Sequence, residues 1–170
     1  MISDEALMLD FQRGSRPAFE ELFARYRQPL YGFFRRRLGS GESADDLTQE
    51  TFLAVIRATT RYEPRALVRT YLYGIAFKLL SAERRKMGRD HLTDLTAISS
   101  HDSDERLWVR QALDRLDANN REILMLREYE QLSYGEIAEL LHLPLNTVRS
   151  RLFRARMELK GILAPARGEA

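Results

Sequence analysis

Residues Leu132–Lys160 read LSYGEIAELLHLPLNTVRSRLFRARMELK. Within them Val148, Leu152, Ala155 and Leu159 recur at the i, i+4, i+7, i+11 spacing of a helix packed on one side. The same wheel throws Arg149, Ser150, Phe153, Arg154 and Met157 to the opposite side, with Arg151 and Arg156 on the flanks. Upstream, Ser133 and Glu136 form a capping box that starts a short helix running to His142. Pro144 then turns the chain, and Asn146 is expected to cap the basic helix. A short helix, a tight turn and a basic helix make a helix-turn-helix in outline. In that arrangement the start of the second helix enters the major groove, where arginine reaches guanine edges or phosphates. Phe153 on the polar side needs a surface to meet.

Working outward, the whole chain of 170 residues reads as helical, with 44% hydrophobic residues, enough for one domain or two small ones. No alternating run suggests a sheet, so the expected class is all-α. Ser15 and Pro17 open a helix that should kink or break near Gln28, ahead of Pro29, and stop at Gly39. Ser43 is expected to cap the next helix, with Leu47, Phe52, Val55 and Ile56 as its apolar residues. A turn around Pro64 follows, then a helix from about Leu67 to Met87 ended by Gly88. Polar residues dominate from Arg89 to Ser103, which reads as a flexible linker. This gives an N-terminal helical domain over 1–90, a linker over 91–105 and a C-terminal domain over 106–170. Asp104 should cap the first helix of the latter, with Leu107, Trp108, Ala112 and Leu113 inward.

The net charge of +2 conceals segregation. Acidic residues gather in GESADDLTQE and between Asp94 and Glu105; basic ones gather at Arg35–Arg37, Arg84–Arg89 and Arg149–Lys160. Such blocks call for both a polyanion and a basic partner. In the long helix, Val68, Leu72, Ile75, Ala76 and Leu79 share one face. Thr70, Gly74, Phe77, Lys78, Ser81, Arg84 and Arg85 share the other. Cations beside an exposed ring suit single-stranded or melted nucleic acid.

Enzyme chemistry finds no support. There is no phosphate-cradling glycine loop, no HExxH and no GxSxG, and the three histidines are scattered. Without cysteine there is no thiolate site and no disulfide framework; no metal or cofactor is expected. The N-terminus lacks the basic and apolar regions of a signal peptide, and no apolar run approaches the ~18 residues of a membrane span. A soluble cytoplasmic protein is therefore expected.

The stretches DDLTQETFLAVIRA, YLYGIAFKLLSAERRK and LSYGEIAELLHLPLNTVRSRLFRARMELK, in that order and spacing, resemble bacterial sigma factors of the extracytoplasmic-function (ECF) group. The resemblance implies a non-enzymatic two-domain protein that binds core RNA polymerase and directs it to promoter DNA. The first domain would recognise the minus-ten element and the second the minus-thirty-five element. Asp46, Gln49, Glu50 and Phe52 match the family's polymerase-binding helix, which docks on a coiled coil of the β′ subunit; the β flap is implied as a second contact. Arg149, Ser150, Phe153 and Arg154 match its major-groove positions, with Arg151 and Arg156 nearer phosphates. The loop Arg61–Ala66 falls where the family captures a flipped base, which implicates Arg61 and Tyr62 alongside Phe77, Lys78, Arg84 and Arg85. The family often pairs with an anti-sigma factor. Departures from its pattern are Ile56 and Tyr71 where tryptophan is usual, Lys78 and Ala82 where Asn and Asp are common, and Pro64 in the loop.

Two other classes fit parts of the chain. A stand-alone helix-turn-helix regulator would act as a homodimer on a palindrome and would leave DLTQETF without a role. A pure interaction module would have no use for an outward Phe153 and Arg154.

Overall fold

In the computed structural model, residues 1–90 and 104–164 are described. The chain divides into two compact units, one within Met1–Ala97 and the other within Ile98–Ala170. Among the described residues there is no strand. The first unit contains α1 (Asp4–Gln12), α2 (Arg16–Leu38), α3 (Gly41–Ala58), a 3-10 turn (Thr59–Arg61) and α4 (Val68–Asp90). The second contains α5 (Asp104–Asp114), α6 (Ala118–Glu128), α7 (Tyr134–Leu141) and α8 (Leu145–Leu163).

Helix α2 is the spine of the first unit and packs against α1, α3 and α4. Ser15 caps it, its hydroxyl accepting from the Ala18 N–H, and Gly39 ends it in the left-handed conformation at φ 72°. Glycine adopts that conformation without the Cβ clash that other residues meet. Of the kink or break expected at Pro29, the break does not occur: α2 runs through it. An internal proline costs ~3 kcal/mol or more. Leu30, Phe33 and Phe34 just beyond it are fully buried, and each large side chain so buried returns ~1.5–3 kcal/mol. Burial wins.

Three other boundaries are corrected. Helix α3 is capped by Ser40, whose extended backbone follows the left-handed Gly39, so Ser43 lies inside the first turn and donates its N–H to the Ser40 hydroxyl. Gly88 does not stop α4, which runs to Asp90. A helical glycine without a left-handed φ costs only ~1 kcal/mol. The linker assignment falls largely on residues 91–103, outside the described residues. Its last two residues, Asp104 and Glu105, belong to α5, where their charge suits the positive end of the helix dipole.

In the second unit α6, α7 and α8 enclose Ile123, Leu126, Leu132, Ile137, Val148 and Leu152. The expected capping box is formed: the Glu136 N–H donates to the Ser133 hydroxyl at 3.1 Å and the Ser133 N–H to the Glu136 carboxylate at 3.4 Å. His142 ends α7 with a φ of 55°. Helix α8 begins two residues early, with Pro144 in the cap position, so Asn146 is already helical and caps nothing.

Candidate nucleic-acid and protein interfaces

Three faces carry the candidate chemistry. The first is on α3, where Asp46, Gln49 and Glu50 are exposed together, next to Asp45 and Glu42. Phe52, assigned to the same surface, is only 5% exposed and packs on Phe23 at 4.8 Å and Phe19 at 6.2 Å. That assignment is corrected: Phe52 seats α3 on α2, and its ring offers little to a partner. Leu53 and Ile56, at 41% and 46% exposure, take the apolar part instead. The wheel of α3 carries this signal, since Leu53 falls a turn beyond Gln49 and Glu50 in the same sector. Ile56, counted among the apolar residues of this helix, is thus an outward one.

The second face lies around α4 and the loop before it. Arg61, Lys78, Arg84 and Arg85 are exposed. Two aromatic assignments are corrected. Phe77 is half-buried and meets Phe33 edge-on at 5.1 Å, because α4 packs against α2 as well as α3 and α1. Arg37, from a block read as polyanion-binding, is buried and lies over the Phe33 ring at 4.0 Å. Tyr62 is 6% exposed and packs on Tyr71 at 5.2 Å, its hydroxyl buried without a hydrogen-bond partner. Burial, with Glu5 and Tyr71 nearby, pushes the Tyr62 phenol pKa up. Burial does the same to Tyr71, against the pull of Arg61. Thr70, expected outward, is buried.

The third face is α8. Val148, Leu152 and Ala155 are buried, while Arg149, Ser150, Phe153, Arg154 and Met157 are exposed, as the wheel predicts. Phe153 is 66% exposed. The Ser150 hydroxyl donates to the Asn146 carbonyl at 2.9 Å, and Arg154 Nε to the Ser150 carbonyl at 3.4 Å. Arg151 is half-exposed. Arg156, expected nearer phosphates, is exposed but already engaged: its guanidinium donates to the Tyr134 hydroxyl at 3.4 Å and to Glu128 at 3.1 Å. Those two groups, Tyr134 first, raise its pKa further.

On the second unit, Trp108 is 42% exposed where the sequence pattern placed it inward. It helps line an apolar groove of about 610 Å³ between α5, α6 and α8, with Leu124, Tyr129, Leu159 and Leu163 as walls and Arg156 and Lys160 also lining it. Among the described residues no His, Asp and Glu cluster could hold a metal, and no helix is long and apolar enough to cross a membrane.

Comparison with known proteins agrees with this layout. Residues 22–89 match the family Sigma-70 region 2, and residues 106–159 match Sigma-70, region 4. The chain is 32% identical to the RNA polymerase sigma-H factor of Pseudomonas aeruginosa, over 98% of this chain and 97% of that one. It is 30% identical to the ECF RNA polymerase sigma-E factor of Haemophilus influenzae, over 96% and 97%. Among solved structures it resembles CnrH, determined in complex with the cytosolic domain of CnrY. The TM-score is 0.76 at 27% identity, covering 95% of this chain and 97% of CnrH.

Proposed function

The chain belongs to the ECF group of RNA polymerase sigma factors, and from that membership we propose how its faces share the work of promoter-specific initiation. The first unit, through Asp46, Gln49, Glu50, Leu53 and Ile56 on α3, docks on the β′ coiled coil of core polymerase. Acidic side chains around two exposed aliphatic ones suit a basic partner surface with an apolar centre. Its loop and α4, with Arg61, Lys78, Arg84 and Arg85, follow the melted minus-ten strand. Tyr62 lies beneath that surface and supports it.

The second unit reads the minus-thirty-five element as duplex through Arg149, Ser150, Phe153 and Arg154, with Arg151 toward a phosphate. The groove beside Trp108 is the seat for the β flap. Linked on one chain, the two units serve both elements of one promoter. CnrH is solved with the cytosolic domain of CnrY, and a regulatory anti-sigma protein acting in this way is proposed for this chain. Cytoplasmic residence follows from the same reading.

The observation that carries the reading is the exposed acidic and aliphatic stripe of α3. A homodimeric regulator has no use for it. Asp46→Arg with Glu50→Arg sets like charge against the partner and should weaken core binding by several kcal/mol. Affinity for core polymerase, measured with helical content and melting of the same variant, checks this. Undiminished binding by a folded double variant would remove the role.

A further inference from the structure

Helix α1 lies far from the loop 59–67 in sequence, yet it holds that loop at both ends. At the leading end the Gln12 side chain is half-buried, and its amide donates to the Thr59 carbonyl at 2.9 Å and to the Tyr62 carbonyl at 3.0 Å. Those carbonyls flank the 3-10 turn, within which the Tyr62 N–H also donates to Thr59 at 3.2 Å. At the trailing end the Glu5 carboxylate accepts from the Val68 N–H at 3.0 Å, capping the first turn of α4. A carboxylate is favoured there by the helix dipole as well as by the bond.

Helix α1 is itself fixed. Arg25 of α2 donates to Asp4 at 2.8 Å and to the Ile2 carbonyl at 2.8 Å, and the Tyr26 hydroxyl also donates to Asp4. Leu7 and Met8 are buried beneath. The loop residues between the two anchors, Glu63, Pro64 and Arg65, are exposed. Their own contacts, an Arg65 N–H to Glu63 carbonyl bond and a Glu63–Arg65 ion pair, tie them only to each other. Tyr62 packed on Tyr71 and the Thr59 hydroxyl bonded to the Val55 carbonyl hold the leading side, and the pair of anchors from α1 ties both ends of the tip to a third helix.

The geometry points to Gln12 and Glu5 as positioning residues for base selection at the minus-ten strand: α1 sets the frame in which the loop meets its base. The inference rests on the reading of this loop as the base-capturing element. Recognition of one base needs donors and acceptors placed to within a fraction of an ångström. With the loop hinged at either end, Arg61 in it and Lys78 on α4 would still touch phosphates, but the loop would discriminate less among bases.

The test uses holoenzyme assembled from the full chain and cognate core polymerase. Single-stranded oligonucleotides randomised in sequence are bound, and the recovered fraction is sequenced to give base enrichment at each position. Gln12→Ala removes the donor; Gln12→Glu keeps the length and sets a carboxylate against two carbonyls. Both should lower enrichment at the captured position about fivefold, the scale of one lost hydrogen-bonded arrangement. Total oligonucleotide retention and duplex minus-thirty-five binding should stay at wild-type level. Glu5→Gln, which keeps an acceptor for Val68, should preserve enrichment where Glu5→Ala lowers it.

A control variant replaces Glu63, Pro64 and Arg65 by glycine. If that control loses enrichment while both Gln12 variants keep it, the anchoring role is overturned and the loop reading survives. If the control keeps enrichment, the loop reading fails and the anchoring role with it. Loss of the folded first unit in both Gln12 variants also overturns the proposal, because Gln12 would then support the unit as a whole.

Discussion

Helices α4 and α8 have similar sequence patterns, an apolar stripe opposed by cations and one phenylalanine, yet the structure treats them differently. On α8 Val148, Leu152 and Ala155 of the stripe are buried and Phe153 stands out at the surface. On α4 Phe77 turns against Phe33, and Thr70 is buried on the side expected to be polar. The cause is how far round each helix is covered. Each meets three others, α4 meeting α1, α2 and α3 and α8 meeting α5, α6 and α7. Helix α4 nevertheless buries Val68, Thr70, Leu72, Tyr73, Ala76 and Leu80, whereas α8 buries only Val148, Leu152 and Ala155 and leaves the rest of its surface more open. A wheel predicts burial well for a helix covered on one side, and poorly for one covered on several.

The largest expected effect tests the buried half of this comparison. Phe33 is fully buried between Phe34, Tyr73 and Phe77, with Arg37 stacked on it. Phe33→Ala should cost ~3–5 kcal/mol and leave the guanidinium of Arg37 without its aromatic seat. Phe153→Ala, on the open helix, should leave stability within ~0.5 kcal/mol while weakening duplex binding. Thermal melts of the two variants check the contrast. Equal destabilisation would mean that α8 is covered by something more than its own unit.

The next effect belongs to the open face. If Arg154 reaches a base edge, Arg154→Ala should cost ~1–3 kcal/mol in promoter binding and relax selectivity at one position of the upstream element. Holoenzyme binding to single-base variants of that element is the measurement. An unchanged preference with a folded domain would show that this helix does not read sequence there.

Arg151 and Arg156 sharpen the comparison within one helix, since both flank the same stripe. Arg156 is engaged with Glu128 and Tyr134, so Arg156→Ala should leave the salt dependence of promoter binding nearly intact. The exposed pair it breaks is worth at most ~1 kcal/mol of stability. Arg151→Ala should reduce the slope of log affinity against log salt by about one phosphate contact. Titrations at several salt concentrations separate the two, and a reversed order would place Arg156 on the DNA.

These contrasts also mark what the sequence could convey. Local signals transferred well: the Ser133–Glu136 capping box, the Ser15 cap, the Gly39 stop and the α8 stripe each depend on neighbours within a few residues. Where the reading failed, a distant segment decided. Phe52 needed Phe19 and Phe23 from α2 to be buried, and Trp108 needed a packing surface that α6 and α8 form only as an open groove. The acidic residues of α3 were legible as a surface; Leu53 lies in their sector of the same wheel, but an apolar residue on a helix is assigned to the core by default. Gln12 and Glu5 had no local signal at all. Their partners lie 47 to 63 residues away.

Tyr62 yields the smallest effect at neutral pH, and the most selective one. Its hydroxyl is buried with no partner, so it was desolvated on folding without the return that a hydrogen bond would give. Tyr62→Phe removes that group and keeps the ring against Tyr71, and should leave stability at pH 7 unchanged or raised by up to ~1 kcal/mol. Burial raises the phenol's pKa in the folded unit above the ~10 of an exposed tyrosine. The neutral form is thus favoured by folding. The associated stability is complete below pH ~10 and is lost as the pH climbs from there toward the folded pKa. Tyr26 and Tyr71 in the same unit are shifted the same way, chiefly by burial. The first unit should therefore weaken as the medium becomes alkaline, and Tyr62→Phe should weaken less than the unaltered chain. Melting of both proteins from pH 7 to 11 provides the comparison, with Tyr129→Phe on the exposed ring of the second unit as the control. Parallel curves for Tyr62→Phe and the unaltered chain would mean that this hydroxyl has reached water or a partner in solution.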